Sequence, residues 1–132
     1  MMPAARCSSL DGVRVLECDP AGPPIRNASD AVDLIAAASS HAAAWIAIPV
    51  ARLHPDFFRL KTGMAGEILQ KFVTYHLPVV VIGDISSHIS ESAALRDFVY
   101  ECNRGREIWF AASAAEFQQR LLTARHTDPA TT

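Results

Sequence analysis

The sequence is poor in the features that mark membrane, secreted and disulfide-rich proteins. No apolar run approaches the roughly 20 residues that a membrane-spanning helix needs. The N-terminus, MMPAARCSSL, has no extended apolar core of the kind found in secretion signals. The three cysteines are widely spaced and form no CxxC pair, so we interpret them as ordinary thiols. We therefore expect a cytoplasmic protein with no membrane partner.

Positive charge is scarce and dispersed. The formal net charge of the 132 residues is −2, and the lysines and arginines are scattered without a basic block. Because contacts with nucleic-acid phosphates need clustered cations, this pattern argues against nucleic acid as a partner. Near the end of the third predicted helix, we interpret Glu101, Arg104 and Arg106 as a solvated face.

Recognised catalytic motifs are also missing. The sequence contains no P-loop, no GxGxxG and no GxSxG nucleophile elbow. Ser87 and His88 are neighbours in sequence, but a hydrolase pair is a spatial arrangement that adjacency does not establish. A second group has side chains that bind metals, in a spacing that fits no recognised ligand pattern: His54, Asp56, Asp84 and His88. We therefore assign no catalytic residue and expect no cofactor and no metal.

What is present is an ordinary globular composition, with half of the residues hydrophobic and a fifth charged. We predict a loose lead-in at residues 1–12, a single α/β domain at 13–124 and a disordered tail at 125–132. Strand patterns at 13–17, 44–48, 79–82 and 108–111, with a weaker one near Ile25, alternate with helical patterns. This alternation predicts βαβ units and a small, mostly parallel sheet of four or five strands with about four helices.

The stretch at residues 56–84 organises the rest of the chain. Its helix has one apolar stripe at helical period, formed by Met64, Ala65, Ile68, Leu69, Phe72 and Val73. Thr62 is a suitable N-cap, and Pro78 ends the helical period before a buried strand. Gly63 and Gly66 leave the first turn with little bulk. Either a close approach by a partner or tight packing on the sheet would account for them.

The other helices carry clear start and stop signals. Asn27 or Ser29 begins the first helix, whose predicted inward residues are Val32, Ile35, Ala36 and Ser39. Gly105 follows the third helix and suits a left-handed stop. Ser113 and Glu116 form a capping box at the start of the last helix.

Polar side chains follow the predicted strands where an open α/β sheet binds ligands, beyond the carboxyl ends of the strands. The loops at 49–62, 84–90 and 112–113 would bring one set to a common rim: His54, Asp56, Lys61, Thr62, Asp84, Ser86, Ser87, His88 and Ser113. Predicted helix starts at Thr62, at Ser90 or Ser92, and at Ser113 would also favour an anion or a phosphate at this rim. The alternative is that these hydroxyls and acids simply cap helices.

Three long runs identify the sequence as a member of a bacterial family known as domain of unknown function 4180. They are DFFRLKTGMAGEILQKF, VVVIGD and LRDFVYECNRGREIWF, and the resemblance extends from about Val13 to Leu122. The family is uncharacterised, so this resemblance implies no function.

More distantly, the order of strands and helices resembles the STAS fold of anti-sigma-factor antagonists. In that family a phosphorylatable Ser or Thr begins the second main helix and is followed by Gly, which would place Thr62 and Gly63 at the switch. The family usually carries Asp-Ser-Ser/Thr-Gly there, whereas Leu60 and Lys61 precede Thr62 here. The lysine could neutralise a phosphate, or the switch could be lost.

The function that we predict from these residues is a non-catalytic regulatory module that binds another protein. Its surface would centre on Lys61, Thr62, Gly63 and the 84–88 loop, with phosphorylation of Thr62 as its switch. The alternative is a protein that binds a small molecule or nucleotide at the same rim through His54, Asp84 and His88, either as an enzyme or as a pure binding protein. A homodimer with a structural role is a third reading.

Overall fold

A computed structural model describes residues 5–10 and 12–127 of the protein. The strands are β1 (Ala5–Leu10), β2 (Val13–Cys18), β3 (Trp45–Pro49), β4 (Val79–Ile82) and β5 (Ile108–Ala111). The helices are α1 (Ala28–Ser40), α2 (Met64–Thr74), α3 (Ser86–Glu91), α4 (Ala93–Arg104) and α5 (Ala114–Thr127). Strands and helices alternate along the chain from β2 to α5, as predicted for a single α/β domain with a mostly parallel sheet, and the pairing of the strands confirms this prediction.

The five strands form one sheet in the order of the chain, β1-β2-β3-β4-β5. β1 is antiparallel to β2, and the neighbouring pairs from β2 to β5 are parallel. Right-handed crossovers between strands in sequential order place their connecting helices on the same face of the sheet. Side chains of α1, α2 and α4 accordingly share one core, while α5 follows the last strand and packs on the opposite face.

Both cores follow from the alternation of side chains along each strand. In β3, Ile46 and Ile48 enter the larger core under α1, α2 and α4, whereas Trp45 and Ala47 enter the smaller core under α5. Phe117 on α5 lies in that smaller core, with its ring centroid 5.1 Å from that of Trp45. The inner strands are therefore apolar on both faces, as a covered parallel sheet requires.

The predicted loose lead-in was wrong for its described residues. Ala5–Leu10 forms β1, which pairs from Ala5 opposite Cys18 to Leu10 opposite Val13. The Ser8 hydroxyl donates to the Glu17 carboxylate across this pair, so polar contacts on an edge strand replace the apolar alternation that sequence patterns detect. Residues 125–127 of the predicted tail are helical, because α5 continues to Thr127; residues 128–132 lie outside the described residues.

Four local predictions also need correction. The weak strand near Ile25 is a single parallel bridge to Leu53, and the 84–90 loop contains the short helix α3. In α1 the buried stripe is Ala31, Leu34, Ile35 and Ala38, so Ala36 and Ser39 are exposed rather than inward. Gly105 has φ −93°, which is not left-handed.

The predicted helix caps are largely confirmed. The Asn27 side chain accepts a hydrogen bond from the Asp30 N–H, and the Ser92 hydroxyl accepts one from the Leu95 N–H. The Ser113 hydroxyl accepts from the Glu116 N–H at 3.1 Å, which is half of the predicted capping box. The Glu116 carboxylate returns to the N–H of Ala112 rather than of Ser113.

Candidate functional site

The segment between β3 and α2 forms the largest part of the rim. It contains three short 3₁₀ turns: Val50–Arg52, Pro55–Phe58 and Leu60–Thr62. His54 caps the second turn, where its Nδ1 accepts a hydrogen bond from the Asp56 N–H at 3.1 Å. Phe57 and Phe58 are buried and anchor these turns on the larger core.

Thr62 connects two of these turns to the start of α2. Its hydroxyl Oγ1 lies 2.8 Å from the carbonyl oxygens of both Asp56 and Arg59, which share its single proton. The same oxygen accepts a hydrogen bond from the Met64 N–H at 3.2 Å. Thr62 therefore satisfies an amide of the first turn as predicted, although the residue at the N-cap position is Gly63.

The two glycines at the start of α2 differ in their physical explanation. Gly63 has φ +78°, a left-handed conformation that costs other residues free energy. Gly66 is helical and exposed, and a Cβ added there would meet no atom within 4 Å. Packing on the sheet therefore does not explain Gly66.

An open groove of about 650 Å³ brings together three of the predicted site residues, Lys61, Thr62 and His88. The imidazole of His88 stacks on the ring of Phe58, with centroids 4.3 Å apart and planes inclined by 10°. Arg59 also lines the groove, and its Nη1 lies 3.6 Å from Asp56 Oδ1. The groove thus combines the cations Arg59 and Lys61, the carboxylate of Glu91 and the aromatic stack.

The remaining rim residues do not line this groove. Asp84 Oδ1 accepts a hydrogen bond from the Ser86 N–H at 2.9 Å, which closes a local turn before α3. Hydrogen bonding from Ser86, through its side chain and then its backbone, lowers the pKa of the exposed Asp84 carboxyl. Ser113 is engaged in the cap of α5, and His54 in the cap of its own turn. These groups act locally.

Residue type suggests two chemical arrangements at this rim, a Ser87–His88 pair and a metal site. Within residues 5–10 and 12–127, the His88 imidazole makes a ring contact with Phe58 and no hydrogen bond to Ser87. The same described residues contain no group of three or more His, Cys, Asp or Glu side chains placed to hold a metal ion.

Sequence reasoning missed a buried cation beside the rim. Arg52 is only 4% exposed, and its guanidinium donates to the carbonyl oxygens of Pro23 at 2.6 Å and Asp19 at 3.0 Å. It packs so closely on Gly22 that a Cβ there would lie 2.7 Å from the guanidinium carbon. Arg52 therefore fixes the proline-rich turn after β2. No sequence pattern marks it, since it stands among residues of a surface loop.

These features define a single α/β domain with a mostly parallel five-stranded sheet and an open groove at the carboxyl ends of its strands. The chain belongs to the family described as Domain of unknown function (DUF4180), whose model matches residues 10–121. No curated protein and no solved structure matches it. No helix among the described residues is long and apolar enough to cross a membrane.

Proposed function

We propose that the protein is a non-catalytic cytoplasmic module that binds another protein through the surface around Thr62, and that phosphorylation of Thr62 switches this binding. One observation carries the proposal. Thr62 is an exposed residue, and its hydroxyl bonds to both preceding turns and to the first amide of α2. A change at this one oxygen therefore acts on a whole segment of the rim.

The chemistry of phosphorylation explains why this oxygen suits a switch. Esterification removes the hydroxyl proton, so Oγ1 no longer donates to the carbonyls of Asp56 and Arg59. It also adds about 1.5 to 2 negative charges. These charges would repel both carbonyl oxygens and favour the amino end of α2, beside the cations Arg59 and Lys61. We expect the Leu60–Thr62 turn to rearrange.

The surroundings of Thr62 support a protein partner. The adjacent groove is open and presents Pro55, the Phe58–His88 stack and Leu60, which are suited to apolar contact. Gly66 leaves bare backbone on the exposed side of α2 one turn further on, and the proposal assigns it to close approach by the partner. The resemblance to anti-sigma-factor antagonists, whose switch residue begins the corresponding helix, favours the same reading.

The test is partner capture from an extract of the organism that makes the protein, with wild-type protein and three variants. Thr62→Glu mimics the charge, and Thr62→Val removes the hydroxyl while keeping the shape. Thr74→Glu is the matched control, because Thr74 is exposed at the opposite end of α2. We expect wild type and Thr74→Glu to retain a common partner that Thr62→Glu loses. Equal capture by Thr62→Glu and wild type would contradict the proposal.

A second candidate is binding of a small molecule or nucleotide in the groove that contains Lys61 and His88. Its volume of about 650 Å³ favours this reading, since ligand pockets span about 300–1,000 Å³. A thermal-shift screen of metabolites separates the two functions. A tight ligand raises the melting temperature by mass action, and His88→Ala should abolish that increase. A pure protein-binding module should show no such increase.

A further inference from the structure

A second groove lies at the opposite end of the sheet, near the amino ends of the strands. It has a volume of about 400 Å³ and lies between the end of α4, the start of β5 and α5. Three arginines line it, Arg104, Arg106 and Arg120, together with both tryptophans of the chain, Trp45 and Trp109. We call this cavity the arginine groove. From the sequence we interpreted Arg104 and Arg106, with Glu101, as a solvated face.

Arg120 is held in a fixed position in the arginine groove. Its guanidinium donates to the side-chain oxygen of Asn103 at 3.1 Å and to the Asn103 carbonyl at 2.8 Å. It also lies over the Trp109 ring, 4.1 Å from the ring centroid. Asn103 is itself fixed, because its side-chain oxygen accepts the Phe110 N–H at 2.7 Å. Two of the five N–H donors of Arg120 are thus used to orient it, and the others are available to a ligand.

The charges around the groove favour an anion. No carboxylate among the described residues lines it. Glu101 lies 3.4 Å from Arg104 in an exposed pair. Glu116, one helical turn before Arg120, accepts from the Ala112 N–H, and its charge partly offsets the lowering of the Arg120 pKa by burial. Arg106 is exposed and makes no hydrogen bond or ion pair within the described residues. Even with Arg104 paired, two cations remain, which matches the charge of a phosphate monoester, about −1.5 to −2.

Apolar side chains form another part of the lining, which we call the apolar wall. They are Val13, Trp45, Trp109, Leu121 and Ala124. The Trp109 indole N–H is already satisfied by the Gly105 carbonyl at 2.8 Å, so it does not compete for the anion. We propose that the arginine groove binds a small organic phosphate, with Arg106 and Arg120 holding the phosphate and the apolar wall holding the organic part.

Tryptophan fluorescence tests this directly, because both tryptophans of the chain line the groove. Phenyl phosphate should change the emission saturably, and several-fold more tightly than inorganic phosphate or benzoate. Arg106→Ala should weaken binding by about 10- to 100-fold, the value of one or two charge-assisted hydrogen bonds. Arg120→Ala should weaken it at least as much. Arg106 has no contact that folding depends on, so its variant keeps the test valid if Arg120→Ala misfolds.

Arg96→Ala is the matched control, since it removes the same charge from the exposed side of α4 outside the groove, where Arg96 lies 3.8 Å from Asp97. It should bind phenyl phosphate like wild type. If Arg96→Ala weakened the binding of phenyl phosphate as much as Arg106→Ala does, general charge attraction would replace the proposed site. Equal affinity for inorganic phosphate and phenyl phosphate would contradict the role of the apolar wall in binding an organic part. Tighter binding of benzoate than of phenyl phosphate would contradict the choice of phosphate as the anion. No saturable change with phenyl phosphate would overturn the site.

Discussion

Two glycines at the start of α2 should respond in opposite ways to the same substitution. In both cases an added Cβ meets no atom within 4 Å, so neither Gly63→Ala nor Gly66→Ala creates a steric clash. The difference lies in the backbone. Gly63 has φ +78°, whereas Gly66 is helical in α2. Comparison of the two variants therefore isolates conformational free energy from packing.

The expected magnitudes follow from that difference. Alanine in place of a helical glycine stabilises by about 0.5–1 kcal/mol, and Gly66 lies in the first turn, so we expect about 0.5 kcal/mol. A left-handed conformation costs an alanine roughly 1–2 kcal/mol, so Gly63→Ala should destabilise by about 1–2 kcal/mol. In a domain of this size, Gly66→Ala should raise the melting temperature by about 2 °C and Gly63→Ala should lower it by about 3–8 °C.

Urea denaturation and thermal melts followed by circular dichroism measure both values. A Gly66→Ala protein less stable than wild type would refute the reasoning, because it would show that something in the folded chain excludes a methyl group there. If Gly66 is a partner contact, Gly66→Ala should also weaken partner capture several-fold while the protein becomes more stable. Unchanged capture would remove Gly66 from the proposed surface.

Two further predictions concern buried groups. Arg52→Ala should lower the free energy of unfolding in urea by about 3 kcal/mol, because the carbonyls of Asp19 and Pro23 lose a buried charged donor. The control is Arg14→Ala, since Arg14 is an exposed arginine bonded to the His41 carbonyl, and this variant should cost under about 1 kcal/mol. A cost for Arg52→Ala no larger than that of Arg14→Ala would contradict the anchoring role. Burial raises the pKa of Cys18 from 9.0 to about 11, with Arg52 opposing the shift. As the pH rises, the thiol of the unfolded chain therefore ionises before that of the folded protein, so the free energy of unfolding should fall between pH 9 and pH 11. Cys18→Ala should make that fall shallower. The same slope in Cys18→Ala and wild type would argue against a buried neutral thiol.

The fold could be predicted where one residue pattern dominates. Val79 to Ile82 and the Asn27 and Ser92 caps are local signals, and the structure confirms them. β1 was missed because its edge is held by polar contacts such as Ser8 to Glu17, which have no apolar period. Arg52 was missed because its burial depends on a turn 30 residues away in the chain, whose carbonyls its guanidinium reaches.

The candidate site was predictable only in part. The sequence placed Lys61, Thr62 and His88 at one rim, and they line one groove. It placed Asp84, Ser86 and Ser87 there too. However, α3 begins at Ser86, and the Asp84 carboxylate accepts a hydrogen bond from the Ser86 N–H. Membership of a rim follows from the order of strands, whereas the direction of each side chain depends on turns that no local pattern specifies.

Phosphopeptide mapping of Thr62 in protein recovered from the organism that makes it tests the central claim most directly. Trypsin cuts after Arg59, Lys61 and Lys71, and Thr62 is the one hydroxyl residue between 60 and 71, so the peptide mass alone locates a phosphate. Because a phosphate next to Lys61 impedes cleavage there, both the 60–71 and the 62–71 peptides should be quantified. The account predicts phosphate on Thr62 in at least one growth state. Thr62 unmodified in every state, with other phosphopeptides detected in the same samples, would contradict it.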